Sequence, residues 1–233
     1  MAKQVAGVSE RVLACAKEEF LEKGYLDASL RTIAARAQTT TGSIYTRFHD
    51  KEGLFAAIVN PVAQEFRKRF LEVQVTFHQM DAQTQKEQVY EYSGDGMMEM
   101  LDYIYDHFDE FRILLDASYG TAYQHFVEEL IRIEEYYTYR YMETIGCQSV
   151  TSGQVTREFL HMVTTAYYES LFEVVRHRME REQARRYVRM LSRYHSAGFD
   201  TLFYPEPEEE SQSKGEGPDV IGRGDAERGE RRI

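Results

Sequence analysis

At 233 residues and 42% hydrophobic content, the chain holds enough apolar mass for a sizeable core in one large domain or two smaller ones. It contains no run of about 18 apolar residues, which excludes a membrane-spanning helix, and its two cysteines, Cys15 and Cys147, lack the spacing of a metal or redox pair. The net charge of −11 disfavours indiscriminate contact with nucleic acid over the whole surface. The opening segment, MAKQVAGVSERV, lacks the apolar core of a secretory signal. The expectation is a cytoplasmic protein with reduced thiols, no membrane partner and no cofactor.

In chain order, the pattern predicts a nearly all-helical protein of about nine helices. The first four fall at residues 9–23, 29–36, 40–47 and 50 to about 77. Leu30, Ile33, Ala34 and Ala37 recur at helical spacing and form one apolar stripe. Ser29, Thr40 and Asp50 stand where N-caps are needed. Ala37-Gln38-Thr39 makes a tight turn. In the short helix that follows, Ile44 and Phe48 face inward at i, i+4. Thr41, Ser43, Thr46 and Arg47 are left outward, a hydrogen-bonding face suited to base edges and phosphates. Gly42 lets backbone approach a phosphate without a Cβ in the way. Pro61 interrupts the fourth helix and predicts a bend near Val59-Asn60.

Residues 82–118 read as two helices with a break near Ser93–Gly96, where Gly94 and Gly96 weaken the helix. Glu91, Asp95, Glu99, Asp102 and Asp106 form an acidic stripe there, read as a solvated face rather than a metal site. A helix over 121–144 follows, with Phe126, Leu130, Ile133, Tyr137 and Tyr141 on one face, then a loop over 145–153. Two long helices at about 154–179 and 182–203 close the fold. Seven arginines between Arg176 and Arg193 cluster at their junction and are read first as ion-pair partners of the acidic middle or as a solvated face, and only second as a further nucleic-acid surface. From Pro205 onward the chain is charged and rich in Gly and Pro, which predicts disorder. The domain reading is therefore 1–53, 54–204 and a 205–233 tail.

Residues 28–54 also resemble the DNA-binding signature of the tetracycline-repressor (TetR) family. Ser29, Ile33, Ala34, Ala37, Thr40, Gly42, Ile44, Tyr45, Phe48, Lys51, Glu52 and Leu54 stand in its places. Val12, Leu13, Ala16, Phe20 and Gly24 fit the preceding helix, so the resemblance is specific over roughly residues 9–59. Gln38 and Thr39 occupy the places of the family's turn Gly and Val, and Gln38 is therefore expected at positive φ. The resemblance implies a three-helix helix-turn-helix domain followed by a helical ligand-binding and dimerisation domain. The second helix of the unit would enter the major groove of a double-stranded operator.

The local charge supports this. Residues 1–53 carry 8 Lys+Arg and 7 Asp+Glu, the remainder 20 and 32, so one face alone is competent for DNA. Arg47, Thr46, Ser43 and Thr41 are assigned to base edges, with Arg47 the best candidate for a bidentate guanine contact. Thr40, Tyr45 and Lys51 are assigned to phosphates, Gly42 to close backbone approach, and Arg31 to a base or a phosphate.

The resemblance further implies a homodimer through the last two long helices (about 154–203) and an unidentified small-molecule effector in the second domain. Tyr103, Tyr105, Tyr119, Tyr123, Tyr137 and Tyr168 are the expected lining. His107, His125 or His161 would supply polarity, and Met98 or Met162 plasticity. Aromatic and acidic residues together suit a cationic or aromatic ligand. The functional expectation is a repressor released from a pseudo-palindromic operator. One alternative is a DNA binder of the same fold controlled by a protein partner or by no inducer. A remoter one is a helical-bundle carboxylate metalloenzyme built on Glu158-x-x-His161. That chemistry needs a second such motif, and the chain has none. No catalytic or metal residues are assigned.

Overall fold

The computed structural model describes residues 2–204, with side chains from Gly7 onward, so the expected 205–233 tail lies outside the described residues. Among the described residues the chain is all-α, with ten helices and no strand. They are α1 (Ala2–Asp27), α2 (Leu30–Arg36), α3 (Thr41–Phe48), α4 (Lys51–His78), α5 (Ala82–Asp106), α6 (Phe108–Asp116), α7 (Phe126–Thr144), α8 (Gln148–Thr151), α9 (Arg157–Arg176) and α10 (Arg181–Phe203). Among the described residues no helix is long and apolar enough to cross a membrane.

Local chemistry sets most boundaries. The Ser29, Thr40 and Asp50 side chains accept from Thr32 N, Ser43 N and Gly53 N at 3.4, 3.2 and 2.7 Å. Asp81 accepts from Gln83 N and Thr84 N at the head of α5, and Thr156 from Phe159 N at the head of α9. Each side-chain oxygen satisfies an N–H that the first helical turn leaves without an internal partner. Gly24, at φ 72 and ψ 172, interrupts α1 three residues before its end. Gln38 adopts φ 52, as the missing turn glycine predicted.

Five boundaries differ from the sequence pattern, the first being α1, expected over 9–23 but running from Ala2 to Asp27 across the interruption at Gly24. The break expected near Ser93–Gly96 falls instead at His107 (φ −128, ψ 40), and α5 runs straight through both glycines. A Cβ on Gly96 would lie 2.9 Å from Cγ1 of Val73, so this glycine marks the close crossing of α5 over α4 rather than a break. The helix expected from residue 121 begins at Phe126, because Ser118–Gln124 forms turns closed by Thr121 N and Oγ1 on Ser118 O. The loop expected over 145–153 contains the one-turn helix α8. The helix expected over 154–179 ends at Arg176, after which Arg178, at φ 50, turns the chain into α10.

Two apolar clusters form the interior. The larger runs without interruption from Val12, Ile33 and Ile44 through Phe55, Phe66 and Phe111 to Phe172 and Val188. The smaller gathers Phe77, Val89, Tyr141, Met142, Leu160, Phe199 and Phe203 at the far end of the body. α4 contributes to both, from Leu54 at its start to Phe77 at its end, and Pro61 lies on its exposed side without ending the helix.

The two glycines of α5 give a paired test. Gly94 has open space at its Cβ position and Gly96 does not. Gly94→Ala should raise stability by about 0.5–1 kcal/mol. In Gly96→Ala the same gain is cancelled or reversed by the stiff β-branched Val73. Urea unfolding of both variants checks this; equal stabilisation would remove the crossing argument.

Candidate nucleic-acid interface and regulatory cavity

α2 and α3 are held at their angle by the turn between them. Thr39 N bonds to Ala34 O at 2.9 Å and Gln38 N to Ala35 O at 3.2 Å. Ile44 is fully buried and Phe48 half-buried against the larger cluster, which fixes the opposite face of α3 outward. That face carries Thr41, Gly42, Ser43, Tyr45, Thr46 and Arg47, with Gly42, Tyr45 and Thr46 the most open. Arg31 projects from the exposed first turn of α2. The expected DNA-reading side chains of α3 and Arg31 of α2 are thus exposed or half-exposed, and Lys51 is half-buried.

Their present hydrogen bonds refine those roles. Arg47 Nη1 lies back along its helix on Ser43 O at 3.1 Å and on Ser43 Oγ. Thr46 Oγ1 donates to Gly42 O. Thr40 Oγ1 accepts from Ser43 N, and its hydroxyl proton stays available to an anion. Lys51 Nζ donates to Leu26 O and Ala28 O, both at 2.9 Å, and lies 4.8 Å from the centre of the Tyr25 ring. Its ammonium therefore ties α4 to the end of α1, with one N–H left over. Arg36, one of the positive residues of this segment, is engaged by Glu18 and Glu19.

Glu19 has no exposure at all, yet it is charged. Oε1 accepts from Ser29 N at 3.1 Å and from Lys23 Nζ at 3.0 Å, and Oε2 faces Arg36 Nη1 at 3.5 Å. Burial pushes its carboxyl up. The Lys23 and Ser29 bonds and the Lys23 and Arg36 charges outweigh that and hold it below the usual 4.5. It fixes α1 to the start of α2 and so sets the attitude of the helix-turn-helix unit. The sequence reading passed over it, although it falls on the Val12, Ala16, Phe20 side of α1, where an acid is out of place.

The head is joined to the body by α6 and the turns that follow it. Tyr25 N donates to Ala117 O at 2.9 Å, Lys17 pairs with Glu110 at 2.7 Å, and Ala122 N lies 3.4 Å from Glu52 Oε1. Phe55 stacks edge-on to Phe20 and Tyr25 and contacts Tyr123. A Cβ on Gly120, at φ 85, would come 2.8 Å from Leu26 Cδ2, so this turn presses directly on the end of α1.

Within the body, a cavity of about 130 Å³ separates the two apolar clusters. It is walled by α4, α5, α7, α9 and α10. Phe77, Tyr92, Tyr141 and Phe199 provide much of its apolar wall, and Gln74, His78, Glu134 and His195 its polar one. Of the eleven residues expected to line a ligand site, Tyr137 and Tyr168 do so. The other nine do not. Tyr103 packs in the larger cluster beneath Arg69, and Tyr105 donates to Met179 O. Met98 packs against the same cluster, and Tyr123 packs on Phe55 at the joint with the head. His107 stands at the α5–α6 break. Tyr119 and Met162 are open to solvent, and His161 pairs with Glu135. His125 pairs with Glu128 on the surface.

Two acids of the α5 stripe, Asp102 and Asp106, meet arginines of α10, whereas no ion pair joins Glu91, Asp95 or Glu99 to them among the described residues. Asp102 pairs with Arg181 at 3.0 Å and with Arg185, and Asp106 pairs with Arg181 at 2.8 Å. Among the described residues no group of three His, Cys, Asp or Glu side chains is placed to hold a metal ion.

Residues 12–58 match the family description "Bacterial regulatory proteins, tetR family". No curated protein matches the chain. Among solved structures, the fold is similar to a transcriptional regulator of Aquifex aeolicus VF5, at 19% identity and a TM-score of 0.53, covering 84% of this chain and 99% of that one. It is also similar to NalD of Pseudomonas aeruginosa, the secondary repressor of the MexAB-OprM multidrug efflux pump, at 19% identity and 0.54, covering 83% and 97%. A TetR transcriptional regulator family member from Streptomyces coelicolor A3 matches at 16% and 0.50, covering 84% and 91%.

The linkage of Glu19 to pH has a definite sign. Its depressed pKa means that its stabilisation is complete above the unfolded value near 4.5 and is lost as pH falls through the lower native value. Glu19→Gln should therefore destabilise the head by about 1–3 kcal/mol at pH 7 and flatten the acid limb of the stability curve. Thermal melts from pH 7 to pH 3 read both effects. An unchanged acid limb would show that Glu19 is not the group titrating there.

Proposed function

The chain belongs through its N-terminal domain to the tetR family of bacterial regulatory proteins, and from that premise we propose that it is a homodimeric repressor released from its operator by a small molecule. It is a DNA-binding transcriptional regulator; the dimer, the operator contacts, the effector and a cytoplasmic setting are the parts proposed. The observation that carries the reading is the rod-like α4. It begins at the Asp50 cap, beside the DNA-reading face, and ends at Gln74 and His78 in the cavity wall. At ~1.5 Å per residue, Lys51 and Gln74 stand about 35 Å apart along it.

A two-fold dimer places two α3 helices in successive major grooves, ~34–36 Å apart on one face of the duplex. The exposed side of the last two long helices supports such a pairing. Tyr187, Met190, Tyr194 and Ala197 recur at i, i+3, i+7 and i+10 along α10, with Phe159 and Met162 on α9. Met162, Met190 and Tyr194 are 67%, 65% and 80% exposed. An apolar stripe left this open on two adjacent helices is the mark of a helix–helix interface. The cavity favours a small-molecule effector over the alternative of control by a protein partner alone, which would leave the body with a solid core.

Arg31 and Arg47 are the free cations proposed for DNA. If they alone meet phosphate or base, four cations per dimer give a log–log salt slope of about −3.6; if Lys51 leaves its two carbonyls to join them, six give about −5. Footprinting on DNA upstream of the chain's own gene, repeated across salt, measures this. A protected near-palindromic site is expected, and Arg47→Ala should lose discrimination between it and random sequence while Lys51→Ala mainly lowers stability. Undiminished discrimination in Arg47→Ala would remove the base-reading assignment. Absence of any bound fragment in a genome-wide selection would remove the operator itself.

Tyr194→Glu places a charge at the centre of the proposed interface and should convert the dimer to monomers in light scattering, with the helical content unchanged. A dimer that survives this change is held elsewhere.

A further inference from the structure

The cavity contains one acidic side chain, Glu134, and no lysine or arginine among its described lining. Glu134 sits on the otherwise apolar face of α7 between Leu130 and Tyr137. All its hydrogen-bond donors are neutral. Oε2 accepts from Gln74 Nε2 at 2.7 Å and from Tyr168 O–H at 2.9 Å, and Oε1 has only the Thr138 hydroxyl at 3.5 Å. Neither histidine of the wall hydrogen-bonds to Glu134. His78 turns one nitrogen to Gln74 O at 2.9 Å and the other to Tyr137 O at 3.0 Å, so both point at backbone carbonyls. His195 stacks on Tyr167 with ring centres 4.0 Å apart, and burial pushes its pKa down to about 4, which leaves it neutral.

Glu134 is half-buried in the cavity wall, and a carboxylate that meets only neutral donors there is poorly compensated, whereas one that meets a cation in the same surroundings is strongly favoured. Burial pushes Glu134 up beyond what its three donors recover, in contrast to Glu19, whose cations pull it down. Around it, Phe77, Tyr92, Tyr141 and Tyr168 present ring faces and edges, surfaces that accept both an apolar body and a positive charge. The volume of about 130 Å³ is of the size that encloses a single benzene-like ring, as engineered apolar cavities of ~150 Å³ do.

We infer that this cavity is a receptor for a small amine carrying one ring, with its ammonium on Oε1 of Glu134 and its ring between α5, α7 and α10. The inference deepens the effector-released regulator reading and rests on it for any consequence at DNA; occupancy of the cavity itself does not.

The test uses the full chain and three probes of one shape: benzylamine, benzyl alcohol and benzoate. Titration calorimetry on the wild type should show the amine binding about tenfold or more tightly than the alcohol, and the benzoate not at all. This comparison needs no variant. Glu134→Gln, which keeps the Gln74 and Tyr168 partners occupied, should bring the amine down to the level of the alcohol. Equal affinity for amine and alcohol in the wild type overturns the inference, as does an amine affinity that ignores Glu134→Gln, or the absence of amine binding up to millimolar concentration. Footprinting on the operator, run alongside, separates the two readings. A chain that protects DNA but ignores amines loses this inference and keeps the regulator assignment. One that binds amines through Glu134 and protects no DNA does the reverse.

Discussion

The structure depends on α4 being one continuous, half-buried helix. Its 28 residues place Leu54 and Phe55 in the core of the head, Phe66 and Phe70 in the core of the body, and Phe77 in the far cluster. Every other element packs on a segment of this rod or on a neighbour that does. Phe66 alone meets the rings of Phe70, Tyr103, Phe111 and Phe126. Pro61 removes one backbone donor from it, yet its ring faces solvent and the buried face is unaffected. A rod fixed at both ends cannot have its cavity end displaced without tilting the end that carries the reading unit.

The head is held to that rod by charge and hydrogen bonding as much as by apolar contact. Lys51 bridges to the last carbonyls of α1, Glu19 bridges α1 to α2, and the 117–122 turns close on Tyr25 and Leu26. These polar ties act beside the aromatic packing of Phe55 on Phe20, Tyr25 and Tyr123. The acidity of the body complements this arrangement. Much of it is neutralised internally, Asp102 and Asp106 by Arg181 and Arg185, Glu129 by Arg67 and Glu169 by Arg176. The remaining acidic excess of the body disfavours indiscriminate contact with DNA there.

The helices and their caps were legible because they are local. Ser29, Thr40 and Asp50 cap as their residue types require, and the absent glycine at Gln38 forecast a positive φ. The arginine–aspartate contacts of α5 and α10 followed from complementary stripes. The cavity was not legible, because its walls come from five helices whose mutual rotation no single-helix pattern contains. Tyr103 and Tyr105 illustrate the difficulty: as aromatics they were expected to line a ligand site, but Tyr103 packs in the filled core and Tyr105 bonds to Met179 O, while Tyr137 and Tyr168 reach the gap between the clusters. Gly96 misled for the same reason. A glycine weakens a helix in isolation, but the crossing with Val73 is a tertiary demand that overrides propensity.

Both acids that matter most break a pattern the sequence displays. Glu19 interrupts the buried stripe of α1 and Glu134 that of α7, and burying a carboxylate is costly enough that neither place is neutral for it. Their surroundings then separate their roles. Glu19 is met by Lys23, Arg36 and a backbone N–H, so its charge is balanced within the fold and its work is structural. Glu134 is met only by an amide and two hydroxyls, Oε1 having just the Thr138 hydroxyl at 3.5 Å. In the proposed receptor the ammonium of the bound amine balances its charge.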